Sequence, residues 1–317
     1  MKLCLLHLDD ALPSQGDFIS HCERNGATHL HAEKIGSAIR LWGKEPCLQE
    51  LSAVLHGKCR DLGAGPKLWF MGSGDFHHVS ALHIAHAVEE AGEPVTVIHF
   101  DNHPDWVHFS GGMHCGSWVN RATNHPNVAK VITLGVTSYD LKNPEWRGAN
   151  LSLMREGKLE LFPYWHAPSR VRKQYGTGPG YTQKQGRIHW HSIAEAGEGP
   201  FLATLLSRIG TRMVYLTIDK DVLAHDDALT NWDQGRMSLA YLLQIIAAIG
   251  AAHRIIGADV TGDYSPPHYS GNIVTRFMKR AEIFTDQPRS RPSLEEAARV
   301  NSASNHALLD ALQEVMA

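Results

Sequence analysis

The stretch VTVIHFDNHPDW, residues 95–106, opens as a run of β-branched and apolar residues and closes on Asp101, His103 and Asp105. The run predicts a buried strand over Val95 to Phe100. Two carboxylates and an imidazole then occupy alternate positions. An extended backbone sends residues at a spacing of two to one side, so the three polar heads are expected to converge. A metal would account for the cluster. Without one, neighbouring carboxylates repel, and at least one must be protonated or solvated.

Outward from this stretch the same pattern recurs. Upstream, Lys67 to Met71 reads as a buried strand, followed by the turn Gly72 to His78 and a helix over Val79 to Ala91 closed by Gly92. Strand, turn, helix and strand at this spacing make a βαβ unit with parallel strands, and polar residues at such strand ends meet in the crevice where these folds bind ligands. His77, His78, Asp101, His103 and Asp105 all fall there. Downstream, Lys130 to Val136, Met213 to Ile218 and Ile255 to Val260 read as further strands; the second runs into Asp219, Lys220 and Asp221, and the third into TGDYSPP. Lys2 to Leu8 is an earlier strand, and 33–42 and 48–55 have helical spacing. Helices are also expected over 201–209, over 238–249 with Ser238 as cap and Gly250 as terminus, and over 293–316 with an Asn-Ser interruption. Residues 140–192, rich in Pro, Gly and aromatics, read as an irregular insertion. Its basic part, with Arg170, Arg172, Lys173, Lys184 and Arg187 and no acid between 167 and 191, is expected to be a solvated loop, the alternative being a lid over an anionic substrate group.

The 317 residues can bury a large core, and with no repeat or clear boundary they read as one α/β domain, 1–317. A formal net charge of −3 provides no global field for nucleic acid or membrane, so neither is expected as a partner. Five cysteines without C-x-x-C spacing argue for a reducing compartment. Neither a signal-like N-terminus nor a bilayer-spanning apolar run is evident, and a cytoplasmic location is expected.

Three successive strand ends thus carry the same chemistry, enough oxygen and nitrogen donors for two divalent cations. The arrangement resembles the ureohydrolase family of arginases, agmatinases and formimidoylglutamases, within the arginase and deacetylase fold. That resemblance implies a three-layer αβα architecture with a mostly parallel central sheet. Asp101, His103 and Asp105 match the family's Asp-x-His-x-Asp box, and Asp219 and Asp221 its Asp-x-Asp box. The Gly-rich turn ending in a ligand histidine is matched by 72–78, with His78 favoured because it opens the helix and His77 as the alternative. His114, in SGGMHCG, matches the loop histidine, and Asp263, before Tyr264, Ser265 and Pro266, the late acidic residue.

The resemblance implies two Mn²⁺ ions per subunit, with other divalent metals as alternatives, and Asp101 and Asp219 as bridges. The donor set, carboxylate and imidazole without thiolate, suits Mn²⁺. Such a pair generates a hydroxide at neutral pH to attack a guanidinium or amidine carbon of a small-molecule substrate. Asp263 would hold the planar cationic group and His114 would shuttle a proton. Trp106 and Val107 stand where an arginine hydrolase places polar residues to hold the amino-acid end. An indole cannot pair a zwitterion, so a substrate other than arginine is expected. Two other classes are weighed: a deacetylase-like amidohydrolase, against which the intact Asp-x-Asp box argues, and an inactive metal-bound partner or sensor. Homo-oligomerisation is left open.

Overall fold

The computed structural model describes residues 1–317. Its centre is an eight-stranded sheet of β1 (Lys2–His7), β2 (Thr28–His31), β3 (Lys67–Phe70), β4 (Val95–Phe100), β5 (Val128–Leu134), β6 (Leu159–Phe162), β7 (Met213–Asp219) and β8 (Arg254–Thr261). The spatial order is β2-β1-β3-β8-β7-β4-β5-β6, and every pairing is parallel. Alternate strand residues feed two separate cores. Val95, Val97, Val131 and Tyr215 pack under α3 (Glu45–Leu62), α4 (Ser80–Ala91) and α5 (Trp118–Thr123), which lie on the same face as α2 (Glu33–Ile39). Ile98, Phe100, Ile132 and Leu216 pack under α1 (Gly16–Arg24), α6 (Glu198–Arg208), α7 (Leu239–Ala252) and a C-terminal helix, Leu294–Val315. Burial on both faces is why these strands read as continuous apolar runs. The result is the three-layer αβα architecture.

Register fixes where the polar residues emerge. Phe70 pairs with Val260, Val260 with Ile218 and Ile218 with Phe100, so the residues following these four leave the sheet side by side.

The structure departs from the sequence reading in several places: α1, β2 and α5 were not expected, and the helical stretch at 48–55 extends over the whole of α3. Residues 140–192 are not irregular: β6 joins the main sheet, and Ser169–Arg170, Thr177–Gly178, Tyr181–Lys184 and Arg187–Trp190 form a small antiparallel sheet. Gln185 (φ 49°) and Gly186 (φ 69°) make a two-residue hairpin turn with both φ positive, and Tyr181, Ile188 and Trp190 join the core. Gly250 lies inside α7 rather than beyond it, at a point where a Cβ would overlap Val315 of the terminal helix. That terminal helix is continuous, its Asn301, Ser304 and Asn305 facing inward. Finally, α8 (Ile273–Asp286), for which the sequence suggested no helix, is capped by Asn272 and buries Lys279 and Ile283, while Ile273, Phe277 and Phe284 lie on its exposed outer face; the terminal helix is α9. No helix is long and apolar enough to cross a membrane, and all five cysteines are free.

Candidate metal centre

The four aligned strand ends open into a crevice of about 560 Å³ whose floor is His77, Asp101, His103, Asp105, Asp219 and Asp221. Asp101 follows β4 directly, but the chain does not stay extended: Asp105 takes a left-handed φ of 49°. The three polar heads therefore divide between two groups instead of lining one side. The first comprises His77, His99, Asp101 and Asp105, the second Asp101, His103 and Asp221; within each, the ligand atoms lie within 4.8 Å of one another. Asp101 belongs to both.

In the first group, His77 Nδ1 lies 2.9 Å from Asp101 Oδ2, 3.1 Å from Asp105 Oδ2 and 3.5 Å from Asp219 Oδ2, yet it makes no hydrogen bond with any of them. Its Nε2 is 3.0 Å from Thr217 Oγ1, whose proton goes to Asp259 at 2.8 Å. Thr217 can then only accept from Nε2–H, which leaves the Nδ1 lone pair facing three carboxylates. Asp105 Oδ2 also accepts from Trp118 Nε1 at 2.5 Å. In the second group, His103 Nδ1 is 2.9 Å from Asp221 Oδ2 and 3.4 Å from Asp101 Oδ1, and its Nε2 is 2.9 Å from Asp233 Oδ1. A carboxylate on the far nitrogen is the usual orienting partner of a metal-binding imidazole.

Protonation shows how strongly the crevice demands positive charge. Burial and the neighbouring Asp101 push Asp105 up to about 8 and Asp219 up to about 6, and Asp221 is raised by the same causes. Against burial, hydrogen bonds with His103 and His99 and the close approach of the His77 imidazole hold Asp101 well below the carboxylate range. Burial would keep His77 neutral, but Asp101 and Asp105 raise its pKa well above the ordinary value. The site also leaves room for cations. A Cβ at Gly74 would lie 2.7 Å from Asp219 Oδ2, and one at Gly262 (φ 98°) 2.5 Å from Oδ1, so only glycines allow the backbone to pass Asp219 on both sides. An orphaned buried imidazole nitrogen, four buried carboxylates and this clearance fit two hard divalent cations.

Several sequence expectations need correction. His78, favoured over His77, contributes to neither group: it is fully buried, neither ring nitrogen has a partner, and burial pushes its pKa well down. Asp263 does not face the crevice. It is 2% exposed, ion-paired to Lys220 Nζ and 3.3 Å from Asn305 Nδ2 through each oxygen. Trp106 touches the crevice wall but is 1% exposed and packed in the core, and Trp232, 5.6 Å from the His103 ring, is a less buried indole there. None of the basic residues of 170–187 lines the crevice.

His114 does line it. Its Nδ1 accepts from Gly116 N–H at 2.8 Å, so the proton sits on Nε2, 2.6 Å from Glu282 Oε1 on α8. Glu282 also accepts from Trp42 Nε1 at 3.2 Å. The sequence reading missed Glu282, Asp233 and His99. The last, with Nδ1 3.0 Å from Thr133 Oγ1 and Nε2 2.9 Å from Asp101 Oδ2, was legible from the same spacing of two, counted backward from Asp101.

The class so defined is a parallel α/β sheet with two groups of carboxylates and imidazoles gathered at its carboxyl edge, the arrangement expected from the motifs. Residues 24–161 match the model of the arginase family. An uncharacterized protein of Thermotoga maritima is 26% identical over 197 residues, 62% of this chain and 58% of its own length, so this chain spans less than two thirds of that relative. Among solved structures, formimidoylglutamase from Bacillus subtilis aligns with a TM-score of 0.58 at 13% identity, over 97% of this chain and 87% of its own. A hypothetical agmatinase from Burkholderia thailandensis gives 0.56 at 16%, over 99% and 86%, and the arginase of Medicago truncatula 0.55 at 16%, over 96% and 86%. The fold is shared with these arginase-family structures, and the match to the family model is confined to residues 24–161.

Proposed function

We propose that this chain is a binuclear-metal hydrolase that cleaves a C–N bond of a guanidino or amidino compound. The observation that carries the reading is the pair of ligand groups sharing Asp101 on the floor of an open crevice. His77, Asp101, Asp105 and Asp219 would hold one ion, and Asp101, His103, Asp219 and Asp221 the other, with His99 and Asp233 orienting Asp101 and His103. The oxygen-rich set favours Mn²⁺. When bound, such a pair supplies Lewis acidity and an activated water at neutral pH.

The chain's own residues supply the rest. His114 holds a proton on Nε2 between the crevice and Glu282, placed for transfer to a leaving nitrogen. Asp140, Asp233 and Asp286 make the upper wall acidic, which suits a cationic substrate. Arginine remains disfavoured, for a different reason than the Trp106 indole. Arg147 is the one Arg or Lys of the lining, and it is already engaged by Asp140 at 3.1 Å, so an α-carboxylate lacks a free cationic partner. The displaced Asp263 is the observation that favours a second reading, a metal-bound protein without turnover. Protein reconstituted with Mn²⁺ should release urea, ammonia or formamide from at least one member of a guanidino, amidino and formimidoyl panel that includes L-arginine and agmatine. No release from any of them by protein holding two ions would overturn the hydrolase reading.

A further inference from the structure

A second cluster of imidazoles lies outside this crevice, at the β1–β2 edge of the sheet. Parallel pairing sets His7 of β1 opposite His31 of β2, and the spacing of two brings His29 to the same side. The rings gather closely: the His7 centroid is 4.5 Å from that of His31 and 5.2 Å from that of His29, and His7 Nε2 is 3.0 Å from His29 Nδ1. One nitrogen from each of the three can be chosen so that all lie within 4.8 Å of one another. Ligands about 2.0–2.1 Å from a tetrahedral ion stand about 3.3–3.4 Å apart, so small ring rotations suffice.

We propose that His7, His29 and His31 bind one divalent cation of the borderline, imidazole-seeking class, with Zn²⁺ as its type. His7 is 3% exposed, and its Nδ1 lacks a hydrogen-bond partner, as does the buried Nε2 of His29. Orphaned donors and acceptors of this kind are costly unless a ligand satisfies them. Glu33 Oε1 lies 2.8 Å from His31 Nδ1, which orients that ring and leaves Nε2 for the ion. Glu23, 3.7 Å from His29 Nε2, adds compensating charge. His31 is 65% exposed and His29 27% through their side chains, so the ion has an entry path and the His29 ring can adjust, while His7 is fixed by burial and His31 is oriented by Glu33. With three protein ligands, the fourth position opens to solvent. A set of three imidazoles without carboxylate prefers Zn²⁺, Ni²⁺ or Cu²⁺, in contrast to the oxygen-rich crevice.

The test is Zn²⁺ stoichiometry by equilibrium dialysis and elemental analysis on the full chain. Asp101→Ala, which breaks both crevice groups, should still bind one Zn²⁺ per chain and melt higher with Zn²⁺ present. Adding His29→Ala and His31→Ala to that background should remove the ion and the thermal shift; both rings are partly exposed, so the fold should survive. Absence of Zn²⁺ from Asp101→Ala, or its retention after both histidines are removed, would overturn the proposal without bearing on the crevice. Failure of Mn²⁺ loading in the wild type would damage only the hydrolase reading.

Discussion

His77 and His78 are adjacent in the chain and opposite in environment, because a tight turn with about three residues per turn rotates successive side chains by about 120°. One faces three carboxylates; the other is sealed in the interior. Two neighbouring histidines give a sequence reading no means of choosing between them. Asp101, His103, Asp105, Asp219 and Asp221 were legible because each sits within a few residues of a buried strand end. Asp263 was misplaced because the backbone turn at Gly262 carries it to Lys220, and Glu282 and Asp233 come from segments without pattern. His77→Ala should lower Mn²⁺ binding by at least one ion per chain in elemental analysis. His78→Ala should keep both ions and lose about 1–3 kcal/mol of stability through the cavity it leaves. Glu282→Gln should keep the metal content and lower turnover about 10- to 100-fold, within what acid–base assistance supplies, with an altered pH–rate profile. Equal activity of wild type and Glu282→Gln would remove Glu282 from the proton path.

The central strands and the helix after the glycine-rich turn were read from the sequence to within about two residues of their ends, while α3 was read short and α1, β2, α5, α8 and the small sheet were missed. α8 buries a lysine, with Nζ 2.9 Å from Ala38 O, and exposes Ile273 and Phe277. The small sheet consists of strands of two to four residues among glycines and basic side chains. Between elements, the buried Lys220–Asp263 pair ties the ends of β7 and β8 to Asn305 of α9. Burial lowers the Lys220 pKa, and Asp263 opposes the shift. Lys220→Met leaves Asp263 buried and unpaired, which should cost about 3–5 kcal/mol, whereas adding Asp263→Asn should recover much of it. Chemical denaturation of both variants checks this; similar losses in the two would show that the pair is not coupled.

For the molecule as a whole, stability should be tied to pH through the metal centre. Asp105 is raised from 3.8 to about 8 and Asp219 to about 6, first by burial and then by Asp101. A group whose folded pKa is raised contributes stability that is present below its unfolded value and lost as pH climbs through the folded one. His77 and His103, both raised by their carboxylate neighbours against burial, act in the same direction. Metal-stripped protein should therefore lose Tm from about pH 4 to pH 8, and the gain on adding Mn²⁺ should be larger at pH 8 than at pH 5, since cations replace the missing protons. A gain independent of pH in thermal melts would contradict that account. The strand order has its own consequence for synthesis on the ribosome. β8 is the last strand to be translated, yet it lies in the middle of the sheet, between β3 and β7. Until it emerges, the nascent chain holds two unjoined half-sheets, one carrying His77 and the other the four aspartates, each with an open edge exposed to aggregation. A chain released before residue 261 would carry every candidate ligand without the strand that joins the two half-sheets bearing them.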